Sequence, residues 1–586
     1  MAQADTATAK PRLGMDPIRF EVMRSAFNAS ADEMGSALRR ASYSTNIKTR
    51  ADFSCALFDA QLRVIAQSFS QPIHLASMSR MVPSGLRIYG PERLAKGDAI
   101  VFNNPHQGAM HLNDIAVISA IYHGSALCGY AAAVAHHVDI GGMTPGGLAV
   151  STDVYQEGVI IPPTKLVADG QLLEEVFELI VANIRSPRQM AGDFRAQIAA
   201  VMLGERRFGE VVERFGADEI GAFTNELIEY TRRWTEAELR RLPEGTYRAE
   251  GVLDDDGLTD APIHLVVATT IEDGRIHFDL SGSSPQRRGP MNANLTYAYA
   301  ALSYVVKCLV DGEIAANAGF YAQIEVVAPH GTVVNARPPA GMVGGGEVSM
   351  RLVDIGFLSL AEALPERVAA CGKSIICHMG VGGLDPSTDD YYTFMETLAG
   401  GYGARPTKDG LDAVQAHFQN TENSAVEETE NNLPIRVLRY ELVPDSEGAG
   451  RYRGGLGLQR DWQFVDHRAT FTVFSDMRVN APWGLFGGAS AAPARYIYDP
   501  EGEARELPSK FTIELPENGI MSYRTPGGGG YGPPLERNPE AVRQDVLDGR
   551  VSAERAAAVY GVVIDRETGQ IDAAATVAAR NLTAQS

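Results

Sequence analysis

The sequence predicts an α+β protein of several domains. Apolar residues recur at helical spacing near the N-terminus and again before residue 245, and short apolar segments separated by Gly, Pro and Asn lie between them. Further along, the chain becomes rich in Gly and in strand-forming residues before a short helical tail. Because 586 residues exceed the usual size of one domain, the length also favours several domains.

The N-terminal region, 15–245, is predicted to be a mixed α/β domain that opens with a helix. Asp16-Pro17 is typical of an N-cap followed by proline at the first helical position. Apolar residues then recur every three or four positions up to Ala41, which predicts one buried helix face. Short buried strands are predicted between Asp52 and Ala135.

The longest apolar stretch of this domain, 116–135, is interrupted by His123-Gly124-Ser125. Such a break predicts two strands around a turn and argues against a membrane-spanning helix. Helical periodicity returns from Gln171 to Leu242, so we expect helices to close the domain.

The middle region, 246–390, is predicted to be a smaller α/β domain. Asp273-Gly274 indicates a hairpin turn, the segment from Thr296 to Leu309 an apolar helix, and the segment from Phe320 to Val327 a strand. The remaining boundaries predict a β-rich, Gly-rich domain at 391–535 and a helical tail at 536–586.

Composition excludes several classes of function. A net charge of −21 gives the chain no general attraction to nucleic acid or to anionic lipid. The five cysteines are scattered and form no CxxC pair, which disfavours a disulfide scaffold and a thiolate zinc site. Residues Met1 to Gly14 lack the apolar segment of a signal peptide. We therefore expect a cytoplasmic protein that binds neither membranes nor nucleic acid.

Histidines are concentrated in one part of the chain, because six of the twelve lie between residues 74 and 137. This part contains His111-Leu-Asn-Asp114 and His136-His137-Val-Asp139. Imidazoles and carboxylates at close spacing suit zinc, manganese or iron, and three such ligands leave a position open for an activated water. Alternatively, clustered histidines cap loops or bind backbone carbonyls, and the spacing alone leaves both interpretations open.

Nucleotide-binding and acyl-enzyme motifs are missing from the sequence. It contains no GxxxxGK[ST] motif, and Gly400-Gly401-Tyr-Gly403 lacks the spacing of a dinucleotide-binding turn. The run Gly527 to Gly530 is more typical of a mobile or tightly turned loop than of a phosphate site. No GxSxG elbow and no cysteine with an evident histidine partner are present.

Motifs spread over nearly the whole chain, from about Asp16 to Val563, resemble those of the hydantoinase B family. This family includes N-methylhydantoinase and oxoprolinase B-type subunits, caprolactamase and the alpha-type subunit of acetone carboxylase. The motifs are Arg50-Ala-Asp-Phe-Ser54, Phe102 to Asp114, Ala135-His-His-Val-Asp-Ile-Gly-Gly142, Asn183-Ile-Arg-Ser-Pro187 with Gly192-Asp193, Gly400-Gly-Tyr-Gly-Ala-Arg-Pro406, Pro444-Asp-Ser446 with Arg453-Gly-Gly-Leu-Gly457, and Thr525-Pro-Gly-Gly-Gly-Gly-Tyr-Gly532.

The resemblance implies a metal site. Matched residue by residue, its ligands are Asp52, His111, Asp114 and His136, with His137 as the alternative to His136. Zinc is the first choice of metal, with manganese or iron as alternatives. His137 and Asp139 are candidate catalytic residues for moving protons, and Asp139 could instead orient a ligand.

The chain departs from the family pattern in one stretch. It reads Asn103-Asn-Pro-His106 and Gly108-Ala-Met-His111, where the family usually has Asn-Asp-Pro-Tyr and Gly-Gly-Thr-His. These differences keep the implied ligands and leave the identity of the substrate open.

The resemblance implies an enzyme that works in a hetero-oligomer. The expected partner is a hydantoinase A-type subunit that binds ATP and Mg²⁺ and phosphorylates the carbonyl oxygen of a hydantoin, oxoproline or lactam. A water on the metal of the present chain would then attack that carbonyl, so the expected activity is ATP-dependent cyclic-amide hydrolysis.

Two alternatives remain open at this point. The first is the metal-binding subunit of an ATP-dependent ketone carboxylase of the acetone or acetophenone type. The chain is shorter than the alpha-type subunits of acetone carboxylase, which favours the hydrolase. The second is a non-catalytic scaffold that only assembles the partner.

Overall fold

A computed structural model describes residues 10–68, 71–417 and 419–583. Of the N-terminal segment without signal-peptide character, residues 1–9 lie outside this range. The described residues form helices and sheets whose strands are antiparallel except for one parallel pair. They therefore confirm the predicted α+β, multidomain class with a helical tail. No helix in this part of the chain combines the length and the apolar character needed to cross a membrane.

The helices are distributed along the whole chain. They are α1 (Pro17–Ala41), α2 (Thr45–Lys48), α3 (Pro72–Tyr89), α4 (Glu174–Val181), α5 (Pro187–Phe215), α6 (Ala217–Leu239), α7 (Leu295–Leu309), α8 (Ala318–Tyr321), α9 (Gly345–Leu360), α10 (Val426–Asn432), α11 (Pro539–Leu547), α12 (Ala553–Tyr560) and α13 (Ala573–Thr583).

The strands fall into four sheets. They are β1 (Phe53–Asp59), β2 (Val64–Gln67), β3 (Ala99–Phe102), β4 (Asp114–His123), β5 (Ala126–His136), β6 (Thr164–Ala168), β7 (Gln171–Leu172), β8 (Gly245–Leu253), β9 (Ile263–Glu272), β10 (Arg275–Asp279), β11 (Ile324–Val327), β12 (His378–Leu384), β13 (Tyr391–Thr397), β14 (Ile435–Leu442), β15 (Leu458–Phe464), β16 (Ala469–Phe474), β17 (Arg495–Tyr498), β18 (Arg505–Glu506), β19 (Lys510–Leu515) and β20 (Ile520–Arg524).

The chain divides into two compact units. The first comprises the described residues up to Gly147 together with Ser151–Ala249 and Val266–Leu352. The second comprises Leu148–Val150, Glu250–Leu265 and the described residues from Val353 onward.

A seven-stranded antiparallel sheet forms the centre of the first unit, in the order β2-β1-β5-β4-β3-β6-β7. Helices α1 and α5 contribute to the same apolar core as the sheet; for example, the rings of Phe27 and Phe208 lie 4.9 Å apart. The predicted cap of α1 is confirmed, because Asp16 accepts a hydrogen bond from the backbone N–H of Arg19. The predicted turn at 123–125 is also confirmed, since it joins β4 to β5.

Two predictions for the middle region have different outcomes. The Asp273-Gly274 hairpin is confirmed, because both residues have positive φ and β9 pairs with β10 around them. The strand predicted from Phe320 is wrong at its start: Phe320 belongs to α8, and the strand β11 begins only at Ile324. The side chain of Asn317 accepts the N–H of Gly319 and so caps a helical turn at this point.

The second unit contains two antiparallel sheets, in the orders β13-β12-β16-β19 and β14-β15-β20-β17-β18. Its Gly-rich run is buried and bonded through the backbone, with Gly528 N donating to Gly455 O and Gly529 N to Cys371 O. A Cβ atom at Gly454 would collide with the carbonyl group of Gly528. These glycines therefore permit backbone segments to pack against one another.

Candidate functional site

Three neighbouring strands of the seven-stranded sheet, β1, β5 and β4, have adjacent ends on the same side of the sheet. β4 begins at Asp114 and β5 ends at His136, and the antiparallel register places these two residues opposite each other. β1 begins directly after Asp52, whose carbonyl oxygen accepts the backbone N–H of His136 at 3.0 Å. Polar residues distant in sequence are therefore brought together by strand pairing alone.

Three of the predicted ligands form a buried cluster. One side-chain donor atom each from His111, Asp114 and His136 lies within 4.8 Å of the other two. The rings of His111 and His136 are 4.8 Å apart, and Nδ1 of His111 is 2.8 Å from Oδ2 of Asp114. All three residues are at most 6% exposed.

One carboxylate oxygen of Asp114, Oδ1, lacks a hydrogen-bond donor in the part of the chain that the structure describes. Oδ1 is buried and accepts no hydrogen bond from the described residues, and Nε2 of His74 lies 3.6 Å from it. A buried carboxylate oxygen without a donor is costly unless a cation or a donor from outside the chain completes it.

The pKa values of the two cluster histidines are shifted in opposite directions. Burial lowers the pKa of His111, but the Asp114 carboxylate outweighs burial and leaves that pKa above its ordinary value. Burial and the charge of His111 hold the pKa of His136 well below its ordinary value. Although burial acts in the opposite direction, His111 and His74 keep the pKa of Asp114 far below its usual range. His136 is thus a neutral imidazole with a lone pair, and Asp114 is an anion.

Asp52 lies beside the cluster, but it is not one of the three residues whose donor atoms lie within 4.8 Å of one another. Its carboxylate interacts electrostatically with His74, Asp114 and His111. Burial raises the pKa of Asp52, and the charges of His74 and Arg50 offset only part of that rise.

His137 faces away from the cluster. Its Nε2 lies 2.9 Å from Oε1 of Gln197, and its ring centre lies 4.9 Å from that of Phe194, so both contacts are with helix α5. Its backbone N–H donates to the carbonyl oxygen of Asn113. Of the two adjacent histidines, only His136 belongs to the set of close donors.

Asp139 organises the loop that follows β5. Its carboxylate accepts the backbone N–H groups of Gly146 at 3.1 Å and of Arg185 at 2.8 Å. It also forms an ion pair with the guanidinium of Arg185 at 3.1 Å, while the Asp139 side chain itself is fully buried. These contacts hold two segments in place beside the cluster.

The donor set matches the chemistry of a divalent cation. Two imidazoles and one carboxylate are ligands of zinc, manganese and iron(II), and tetrahedral ligands of one zinc ion lie about 3.4 Å apart. The observed spacing within 4.8 Å and the incomplete oxygen of Asp114 fit such an ion.

A family model described as "Hydantoinase B/oxoprolinase" matches residues 16–534. The chain belongs to the hydantoinase B/oxoprolinase family. The resemblance inferred from the motifs is therefore confirmed. A protein of Pseudomonas sp. (strain NS671), provisionally named as the B-type subunit of a D-/L-hydantoinase, is 34% identical over 576 residues, which cover 94% of this chain and 95% of that protein.

Two solved structures share the fold of this chain. The crystal structure of an ATP-dependent caprolactamase from Pseudomonas jessenii has a TM-score of 0.90 and 29% identity, covering 97% of this chain and all of that one. A nucleotide-free structure of acetone carboxylase has a TM-score of 0.88, covering 97% and 83% of the two chains. At 22% identity, the second likeness concerns the fold alone.

Several residues that surround the cluster were not predicted from the sequence. His74 lies on α3 beside Asp114, and the ring of Tyr297 on α7 packs edge-on against His111 at 6.2 Å. Glu157 is buried and accepts the N–H groups of Met342 and Val343. His74 is one of the six clustered histidines, whereas no local pattern marks Tyr297 or Glu157.

Asn294 connects α7 to the loop that leads to His111. Its side-chain oxygen accepts the N–H of Tyr297, as an N-cap does. Its amide nitrogen donates to the carbonyl oxygens of Pro105 and Ala109. The cap of α7 therefore also positions the segment before the cluster.

Proposed function

We propose that the chain is the hydrolytic subunit of an ATP-coupled cyclic-amide hydrolase that acts on a hydantoin, oxoproline or lactam. The observation that carries the proposal is the buried set of His111, Asp114 and His136 at the strand ends, with one carboxylate oxygen that lacks a donor. The family and the caprolactamase of the same fold support cyclic amides as the substrate class.

The need for ATP follows from the chemistry of the substrate. An unstrained amide is stabilised by resonance, and its carbonyl carbon is a poor electrophile. Transfer of a phosphoryl group from ATP to the carbonyl oxygen removes that stabilisation. Since the sequence carries no nucleotide-binding motif, we assign this step to an ATP-binding partner subunit of hydantoinase A type in a hetero-oligomer.

We assign His111, Asp114 and His136 as metal ligands, with Asp52 as the fourth candidate. A divalent cation bound there, zinc first and manganese or iron as alternatives, would act as a Lewis acid. It would lower the pKa of a bound water to about 7, so that the water ionises at neutral pH. The neutral imidazole of His136 offers a lone pair, and the Asp114 carboxylate offers negative charge.

The residues around the cluster support it by position. The backbone of Asp52 fixes His136, and the ring of Tyr297 covers one side of His111. The Asp139 carboxylate fastens the loop after β5, so we propose that it positions the site. A role of His137 or Asp139 in moving protons stays a prediction.

The test is to co-express the chain with its neighbouring ATP-binding subunit and to measure ADP release with hydantoins, 5-oxoproline and lactams. We expect ATP turnover that depends on one cyclic amide and yields the ring-opened acid. His111→Ala should abolish ring opening, whereas His123→Ala, an exposed histidine in the turn of the same hairpin, should retain it.

A second candidate function is a ketone carboxylase, favoured by the shared fold with acetone carboxylase. The same complex distinguishes the two functions when bicarbonate and ketones are added. ATP turnover that requires both bicarbonate and a ketone, without ring opening of any cyclic amide, would replace the hydrolase proposal.

A further inference from the structure

A cavity of about 440 Å³ lies in the first unit, between helix α3 and the start of helix α7. Its wall contains arginine and histidine side chains and no Asp or Glu among the described residues, although the chain as a whole carries a net charge of −21. The basic residues of the wall are Arg63, Arg80, Arg87, His106 and His330. A cavity of this size is typical of a small-molecule site.

Two of the three arginines have no neighbouring carboxylate that neutralises their charge among the described residues. Arg63 is bonded to Asp59 and to Asn225. Arg80 and Arg87, seven positions apart on α3, form no ion pair and no side-chain hydrogen bond with the described residues. The guanidinium of Arg80 lies over the ring of Tyr299 at 5.0 Å, which holds it in place without neutralising it.

The charged side chains of the cavity wall are all basic. Burial lowers the pKa of Arg80; Tyr299 acts against burial, and the charge of Arg87 acts with it. Burial also lowers the pKa of His106, with His330 contributing in the same direction. An anion between the two guanidinium groups would offset the repulsion of their positive charges.

The first turn of α7 forms another part of the wall. Asn294, Leu295 and Thr296 line the cavity, and α7 is 15 residues long. The N-terminal end of a helix of this length adds to the positive potential that the arginines create.

We propose that this cavity binds a small molecule through a phosphate group. A phosphate dianion balances the charges of Arg80 and Arg87, and each guanidinium can offer two parallel N–H donors to phosphate oxygens. The proposal does not depend on the hydrolase function, because it concerns residues outside the cluster of His111, Asp114 and His136.

The occupant of the cavity would touch the segment that leads to the cluster. Pro105, His106 and Gly108 line the cavity, and Asn294 and Thr296 hold the same segment through its backbone carbonyls. His106 is also one of the positions at which the sequence departs from the family pattern. A bound phosphate would therefore stabilise the loop that carries His111.

The test is calorimetric titration of the purified, metal-loaded full chain with inorganic phosphate, ADP and acetate. Saturable binding of phosphate or ADP is expected, and it should weaken at least tenfold in Arg80→Gln and in Arg87→Gln. Arg40→Gln, which changes an exposed arginine outside the cavity, should bind as the wild type does. Phosphate bound to the metal would not respond to the α3 substitutions, so the arginine dependence separates the two sites.

Comparing the titrations with inorganic phosphate and with ADP also shows whether the ligand is a nucleotide. Binding of inorganic phosphate without ADP supports a ligand that is not a nucleotide, and tighter arginine-dependent binding of ADP supports a nucleotide. Two results would overturn the proposal: no saturable binding of either probe, or acetate binding as tightly as phosphate. Thermal melting of each variant verifies that the lost affinity is not lost folding.

Discussion

The imidazole rings of His111 and His136 lie 4.8 Å apart although the two residues are 25 positions apart in the chain. The hairpin of β4 and β5 explains this approach, because its register sets Asp114 opposite His136. A slip of one residue would turn His136 to the other face of the sheet and bring His137 to its place. The cluster thus depends on the register of one hairpin.

Removal of a single proposed ligand from the cluster is expected to abolish stable metal binding. Purified wild-type chain should retain about one zinc or manganese ion after dialysis, whereas His111→Ala, Asp114→Asn and His136→Ala should retain much less than one, because each variant leaves only two of the three close donors to bind the ion. Elemental analysis by mass spectrometry measures the content, and His123→Ala is the matched control. Equal metal content in wild type and His111→Ala would remove His111 from the site.

His137 is expected to be dispensable for metal binding. Its ring contacts Gln197 and Phe194 on α5, so His137→Asn should keep the metal and lower the melting temperature instead. Comparing the metal content of His137→Asn with that of His136→Ala decides between the adjacent histidines. Loss of metal in a folded His137→Asn chain would reverse the assignment.

Asp139 is expected to contribute to stability through the loop it fastens. Asp139→Ala would leave buried N–H donors of Gly146 and Arg185 without their acceptor and should cost about 3 kcal/mol or more in free energy of unfolding. Urea denaturation measures the change, with the exposed Asp260→Ala as control. Similar stability of the two variants would show that the contacts of Asp139, including its ion pair with Arg185, contribute nothing to the free energy of unfolding.

Glu157 is expected to make the stability of the metal-free chain depend on pH. Burial raises the pKa of Glu157 from 4.5 to about 7, so the folded chain holds a proton that the unfolded chain releases in this range. Stability should therefore fall as the pH rises from about 5 to about 7, by up to about 3 kcal/mol, and stay constant above it. Glu157→Gln lacks this contribution.

The measurement for Glu157 is a series of denaturation curves between pH 5 and 8 for wild type and Glu157→Gln. The variant should gain stability relative to wild type as the pH rises, and the exposed Glu174→Gln should follow wild type throughout. A constant difference between Glu157→Gln and wild type over this range would contradict the raised pKa.

Local patterns predicted those parts of the structure that local interactions determine. The Asp16 cap, the apolar face of α1 and the turn at 123–125 depend on neighbouring residues, and all three are present. Once that turn is known, antiparallel pairing makes the approach of Asp114 and His136 predictable. The start of the strand predicted from Phe320 was wrong because the pattern of apolar residues gave no weight to the cap at Asn317.

Contacts between elements far apart in sequence could not be predicted in this way. His74 meets Asp114 only because α3 packs beside the strand ends, and Glu157 reaches the N–H of Met342 across 185 residues. The adjacency of β1 and β5, which carries Asp52 to His136, is likewise a property of the whole sheet. For Asp52, the sequence alone supplied no reason beyond the family resemblance.

The most direct test of the proposed metal centre is anomalous X-ray diffraction from crystals of the chain loaded with zinc or manganese. The account predicts one strong anomalous peak bonded to His111, Asp114 and His136 at about 2.0–2.2 Å for zinc, and the same map shows whether Asp52 joins them. A metal-loaded crystal whose peak lies elsewhere, with those three side chains bonded to no ion, would contradict it.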